Sequence, residues 1–279
     1  VGHLILNADD FGLTAGVNRA VVELHRAGML TSASLMARAA ATDEAIEMAR
    51  AAPSLGVGCH VVLVDGEPVL RAHNLSTLVD PRTGRFHPSL GAFLKQLLTR
   101  RIHSSEIEAE AAVQIAMLQR SGVRLTHIDT HKHIHMFPAV LRPVLRAAGA
   151  AGIRAVRNPF EPEWSRRATH TAPWLRRAQI KVLRLLEPTF RRIVAEEGFS
   201  TTDGAIGVLA TGTLDSTTVT SLLRSIPEGI WELVTHPGYC DSDLAQVHTR
   251  LRDSRETERE ALLALEQFPG IELISFRDL

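Results

Sequence analysis

Carboxylates and imidazoles in this chain gather where apolar runs give out. Asp9 and Asp10 follow His3–Leu6, His60 sits in Gly56–Leu63, Asp129 and His131 close a run that starts at Arg124, and His236 follows Trp231–Thr235. One aspartate with two histidines makes an O,N,N donor set for a divalent cation, with positions left for water and substrate. The densest stretch is THIDTHKHIHMFP, Thr126–Pro138, which holds His127, Asp129, His131, His133 and His135 at strict alternation. If extended, that spacing points all five side chains one way. A strand facing a barrel interior cannot bury five titratable groups without partners or a metal. His127 and Asp129 would then lie deeper and orient ligands by hydrogen bonds, which makes His131, at the mouth, the preferred ligand.

Asp9 and Asp10 stand before Gly12, where aspartate is ordinary turn chemistry. Two adjacent carboxylates also suit divided labour, one on a cation and the other ionised as proton acceptor. His60 reads alone as a core histidine and, joined to the other clusters, as a ligand. In THPGY, Pro237 and Gly238 force a turn that holds His236 where it can act as a general acid. Tyr239 from that turn, Arg157, Asp129, His133 and His135 are the candidates for holding substrate or supporting the ligands. Such a site favours hydrolysis: water at the cation loses a proton to Asp9 and attacks a polarised carbonyl, and His236 protonates the departing nitrogen. Walker, GxSxG and dinucleotide motifs are absent from the sequence.

The elements that must position these groups alternate strand and helix. Strands are expected at His3–Leu6, Thr31–Met36, Gly56–Leu63, Arg124–Thr130, Ile153–Arg157, Ala205–Leu209, Trp231–Thr235 and Ile271–Phe276, with an irregular stretch over Val64–Leu90. Helices are expected after Thr14, over Asp43–Ala52, in two segments across Leu90–Arg120, around Ala139–Gly149 and through Ala261. Eight strands alternating with helices predict one α/β domain over residues 1–279, a (β/α) barrel of TIM-like type, with an open doubly wound sheet as runner-up. In a barrel all the clusters above share the rim at the carboxyl ends of the strands.

One segment departs from the pattern. Trp164–Arg192, inside a helical insertion at about 160–198, holds eight basic residues and one acidic residue, Glu187. On a helical wheel Trp174, Leu175, Ala178, Val182, Leu185 and Leu186 share one side, and Arg176, Arg177, Lys181 and Arg184 the other. This predicts a basic amphipathic helix whose apolar side packs on the body or a second copy of the chain, or which meets a membrane surface. The rest of the chain carries 23 basic against 30 acidic residues, and the whole is neutral, with 31 of each. That balance argues against a nucleic-acid partner. The 279 residues are 45% hydrophobic and include no run of about 18 uncharged apolar residues. Cys59 and Cys240 are far apart, so neither a disulfide framework nor a cysteine zinc cluster is expected, and a cytoplasmic location is.

Five blocks, in order, carry a resemblance: NADDFG at Asn7–Gly12, LTSASLM at Leu30–Met36, GVGCHVVL at Gly56–Leu63, THIDTHKHIHMFP and THPGY. Through them the chain resembles the YdjC-like (ChbG-type) carbohydrate deacetylases. The resemblance implies a barrel related to the NodB-like deacetylases, one divalent cation (Mg²⁺ or Zn²⁺), and removal of acetyl from an N-acetylated sugar. It also implies Asp10, His60 and His131 as ligands and Asp9 as base. GCHVVLVDGEPVL, Gly58–Leu70, is similar to the branch associated with hopanoid biosynthesis, which implies an N-acetylglucosamine headgroup on a lipid as substrate. The competing readings are a sugar-binding barrel without turnover and a metal-dependent hydrolase of another ester or amide.

Overall fold

A computed structural model describes residues 1–170, 172–265 and 270–279; Thr171, within the basic segment, and residues 266–269 lie outside the described residues. Among the described residues seven strands form one parallel sheet: β1 (Gly2–Phe11), β2 (Ser32–Leu35), β3 (Gly56–Val61), β4 (Leu125–Thr130), β5 (Gly204–Ile206), β6 (Gly229–Thr235) and β7 (Ile271–Ile274). Their order is β4-β3-β2-β1-β6-β5, and β7 also pairs with the start of β1. β2 and β3 are buried throughout and β1 nearly so, as parallel strands covered on both faces must be.

The winding runs one way from β1 to β4 and returns to the other edge of β1 through β5 and β6, without the reversal of a doubly wound sheet. The result is a curled sheet wrapped by helices. The strand expected at Ile153–Arg157 is reduced to isolated bridges, Ile128 with Val156 and Ala155 with Ser200, which span the interval between β4 and β5. Pro159 and Pro162 follow at once and offer no amide hydrogen to lengthen a ladder.

The helices are α1 (Ala15–Arg26), α2 (Thr42–Ala51), α3 (Leu90–Leu98), α4 (Ser104–Arg120), α5 (Pro138–Ala150), α6 (Glu163–Ala168), α7 (Trp174–Leu183), α8 (Glu187–Glu196), α9 (Ser216–Arg224), α10 (Ser242–Ala245) and α11 (Ser254–Leu263). Thr14 caps α1 by accepting from Val17 N, and Val17, Ala20, Val21 and Leu24 turn inward as their spacing demands. The stretch after β3 is irregular but tied down. Glu110 of α4 accepts from the amides of Val69 and Leu70, and Glu106 from those of Thr77 and Leu78.

The basic segment differs from expectation. Among the described residues of 163–196 there are three short α-helices instead of one, and of the expected apolar side only Leu186, beyond α7, packs on the core. Trp174, Leu175, Val182 and Leu185 are exposed, and Arg176 and Arg177 turn inward. Their guanidinium groups satisfy backbone carbonyls at 166–172 and 208–211. It is α8 that anchors the segment by burial, through Phe190, Ile193 and Val194.

Candidate active site

Adjacent residues of a regular strand point to opposite faces, so Asp9 and Asp10 can share a site only if β1 is irregular there. It is: the β1–β2 register shifts between Ala8 and Phe11, and Asp10 takes a left-handed backbone with φ 63°. Aspartate tolerates that region better than most residues, and such bulges re-aim side chains. Asp10 Oδ1 then lies 3.5 Å from His60 Nε2 and 3.4 Å from His131 Nδ1. One donor atom from each of Asp10, His60 and His131 falls within 4.8 Å of the others, and a second such group is Asp9, His60 and Asp129.

The donor set fits a divalent cation. His60 Nδ1 is 2.9 Å from Asp129 Oδ2, so its Nε2 is left facing Asp10 and His131. A carboxylate holding the far nitrogen of a ligating imidazole is the usual support of such a site. Asp10 Oδ2 is taken by Arg255 at 2.5 Å, which leaves Oδ1 free. Burial favours neutral His60, but the carboxylates of Asp129, Asp9 and Asp10 outweigh it and raise its pKa to about 9. Burial would likewise raise Asp10, yet Arg255 and the two imidazoles hold its carboxyl well below the usual range.

Arg157 organises the rest. Fully buried, it donates to Asp9 Oδ2 and Oδ1 at 2.8 and 2.6 Å and to Glu232 at 2.8 Å, and meets Asp129 Oδ2 at 2.5 Å. Burial alone would raise the Asp9 pKa, but the guanidinium prevails and keeps it below its ordinary value. Glu232 goes the other way, to about 7, because burial outweighs the same guanidinium. Asn7 Nδ2 adds a bond to Asp9 at 3.0 Å and another to Ser34.

His236 lies just past β6, its Nε2 3.8 Å from Asp9 Oδ2 and its Nδ1 3.9 Å from Glu258. Its amide donates to Glu258 at 2.6 Å. Burial pushes its pKa down to about 4, against the pull of Asp9 and Asp10, so the resting imidazole is neutral at pH 7 rather than the protonated acid expected. Burial raises Glu258 to about 7.

The alternation of the histidine stretch does not persist. β4 ends at Thr130, and Lys132 and His133 take left-handed conformations in a tight turn, so the five side chains diverge. His131 stays at the mouth, where the sequence placed it. His135 is buried between Thr130 Oγ1 and the carbonyl of Arg157, and His133 is largely buried with Nδ1 unpartnered. His127 stacks on Phe276 at 3.9 Å and covers Gly58, where a Cβ would fall 2.3 Å from its Nε2. Tyr239 does not join the cluster; its hydroxyl donates to Glu23 of α1, and Arg19 and Arg259 sit over its ring. Arg157 is fully buried and pairs with carboxylates. Sequence reasoning missed Glu232, Arg255 and Glu258. Glu232, a lone charge in an apolar strand, was legible in principle; Arg255 and Glu258 are two among many charges on α11.

The Asp–His groups stand at or near the carboxyl ends of β1, β3 and β4 or just past that of β6; Glu232 lies midway along β6, Arg157 follows the bridging segment, and Arg255 and Glu258 come from α11. A cavity of about 370 Å³ opens at the same end, lined by Arg38, Glu67, Arg71 and Arg85 from the loops after β2 and β3. A larger one, about 630 Å³, lies outside α6 and α9 beside Trp164, whose neighbour Trp231 is four residues back along β6. Neither is lined by a residue of the Asp–His cluster.

A curled parallel α/β sheet with an Asp-His-His donor group and an ionised carboxylate on its carboxyl rim has the make-up of a hydrolytic site. The family model described as YdjC-like protein matches residues 3–267, and the chain belongs to that family. It is 33% identical to a carbohydrate deacetylase of Brevibacillus brevis over 285 residues, covering 99% of each chain. A carbohydrate deacetylase of Thermoanaerobacter pseudethanolicus is 29% identical over 260 residues, 93% of this chain and 90% of that one. Among solved structures, an Enterococcus faecalis V583 protein provisionally described as a cellobiose-phosphate cleavage protein superposes with a TM-score of 0.77 at 24% identity, covering 99% and 98%. A lactam utilization protein of Thermus thermophilus follows with a TM-score of 0.53 at 15% identity, covering 97% and 98%. Both show the fold.

Proposed function

We propose that the chain hydrolyses the N-acetyl group of an N-acetylated amino sugar, with a divalent cation held by Asp10, His60 and His131. The carbohydrate deacetylases to which it is similar support the reaction class. The observation that carries the site is the convergence of those three donors within 4.8 Å beside an Asp9 that Arg157 keeps ionised. A cation there supplies Lewis acidity toward the amide carbonyl and lowers the pKa of water. Two imidazoles with one carboxylate suit Zn²⁺ better than Mg²⁺, which prefers oxygen donors.

The chain's own groups handle the protons. Asp9 accepts one from the attacking water, since its carboxylate is charged and lies at the rim. His236 begins neutral, with Nε2 3.8 Å from Asp9 Oδ2; it takes up there the proton that Asp9 has received from water and passes it to the departing amine nitrogen, so that both groups return to their starting states. Asp129 fixes the His60 ring, and Arg255 fixes Asp10. An N-acetylglucosamine oligosaccharide and an N-acetylglucosaminyl glycolipid, such as one on a hopanoid, are the two substrate classes to compare. Replacement of His131 by Ala is expected to abolish acetate release from either and to lower the metal retained after dialysis, measured by elemental mass spectrometry. An active variant that retains no metal would overturn the ligand assignment.

A further inference from the structure

Helix α7 carries its apolar residues outward. Trp174 is 78% exposed, Leu175 54%, Val182 64% and Leu185 78%. Trp174, Ala178, Val182 and Leu185 recur at spacings of four, four and three, so they form one stripe along the helix and the turn after it. The other side is bound to the body by polar contacts: Arg176 donates to the carbonyls of Val208 and Thr211 at 2.9 and 2.8 Å, and Arg177 to those of Arg166, Thr169 and Ala172. Guanidinium–carbonyl bonds, not apolar burial, therefore set the orientation of α7 and leave the stripe facing water.

We propose that this stripe docks α7 on an anionic lipid bilayer. The charge around it selects the partner. Residues 163–197, which span α6 to α8, hold eight basic side chains and four acidic ones, a net charge of +4, with Arg176 and Arg177 turned to the body. Exposed Lys181 stands beside the stripe with no ion pair among the described residues, while the exposed Arg167 and Arg192 on the neighbouring helices pair with Glu163 and Glu196. A second copy of the chain on this face would press two cationic segments together. A stable protein interface buries roughly 800 Å² a side, more than five side chains of one short helix supply. A bilayer surface needs only a shallow apolar face with cations at its edge: Trp174 and the leucines enter the acyl boundary, and Lys181 reaches back to the headgroups.

The placement has a functional consequence. The carbonyls that hold Arg176 belong to the loop after β5, at the same end of the sheet as the Asp–His cluster. The Glu258 carboxylate of α11 accepts from the amide of His236. A bilayer under α7 thus lies beside the mouth of the site. The inference stands apart from the deacetylase reading, because its test measures binding alone.

The test is co-sedimentation of the full chain with vesicles of phosphatidylglycerol and phosphatidylcholine, against vesicles of phosphatidylcholine only. Binding to the anionic vesicles is expected, with a blue shift of Trp174 emission. The double variant W174S/L185S should bind at least about tenfold more weakly, and K181Q about fivefold more weakly, from roughly 1 kcal/mol per basic group at an anionic surface. Both variants should melt like the parent by circular dichroism, since the replaced side chains are exposed. Absence of binding to anionic vesicles, or equal binding by the parent and W174S/L185S, would overturn the proposal. So would sedimentation velocity showing a parent dimer that the double variant dissolves, because the stripe would then be a contact between copies.

Discussion

Replacing Arg157 by Met removes the guanidinium that pairs with three buried carboxylates, Asp9, Asp129 and Glu232. Loss of one partner from a buried ion pair costs about 3–5 kcal/mol. Glu232 softens the loss, because with a pKa already near 7 it can take up a proton. Asp9 and Asp129 cannot do so cheaply beside a cation site, so the expected loss stays in that range. For a chain of this size it lowers the melting temperature by roughly 6–20 °C. The second consequence is chemical. Once the guanidinium is gone, burial raises the Asp9 pKa, and the acid limb of the kcat/KM profile for acetate release should move to higher pH. R157K, which keeps the charge but loses the two-pronged contact, should fall between parent and R157M in both readings. An R157M protein within about 1 kcal/mol of the parent, with its acid limb unmoved, would refute the role given to Arg157.

Asp129→Asn should weaken metal binding by about 10- to 100-fold, read by titration with a competing chelator, because Asp129 orients His60. Metal binding must displace a proton from His60, so apparent affinity should climb with pH until about pH 9 and then level off. By the same shift, the metal-free protein draws stability from charged His60 that is fully present below about pH 6.5 and lost as pH rises through about 9, a loss that thermal melts between those limits should show. Gly58→Ala should destabilise the fold by about 1–3 kcal/mol in denaturant titration, since its methyl group would strike the imidazole of His127, which is already pinned against Phe276.

Much of the site was legible because its signals are local and strong. Aspartates before a glycine, a histidine in an apolar strand and a histidine before Pro-Gly all mark strand ends, and parallel winding collects strand ends at one rim. The alternation at 127–135 misled because period alone does not show where a strand stops; Lys132 and His133 turn left-handed immediately after it. Arg255 and Glu258 were hidden for the opposite reason. Their helix is charged all along its length, and only the tertiary fold selects the two residues that reach Asp10 and the amide of His236. The orientation of α7 was misread because apolar spacing shows that a helix is two-faced and leaves open which face the body binds. There, buried carbonyls recruited arginine.

The most direct measurement is anomalous X-ray diffraction from crystals of the protein grown with Zn²⁺. One peak is expected about 2.0–2.2 Å from Asp10 Oδ1, His60 Nε2 and His131 Nδ1, with Asp9 beside it and unbound. A peak held by other residues, or none at this rim under saturating metal, would contradict the ligand set on which the proposed hydrolysis depends.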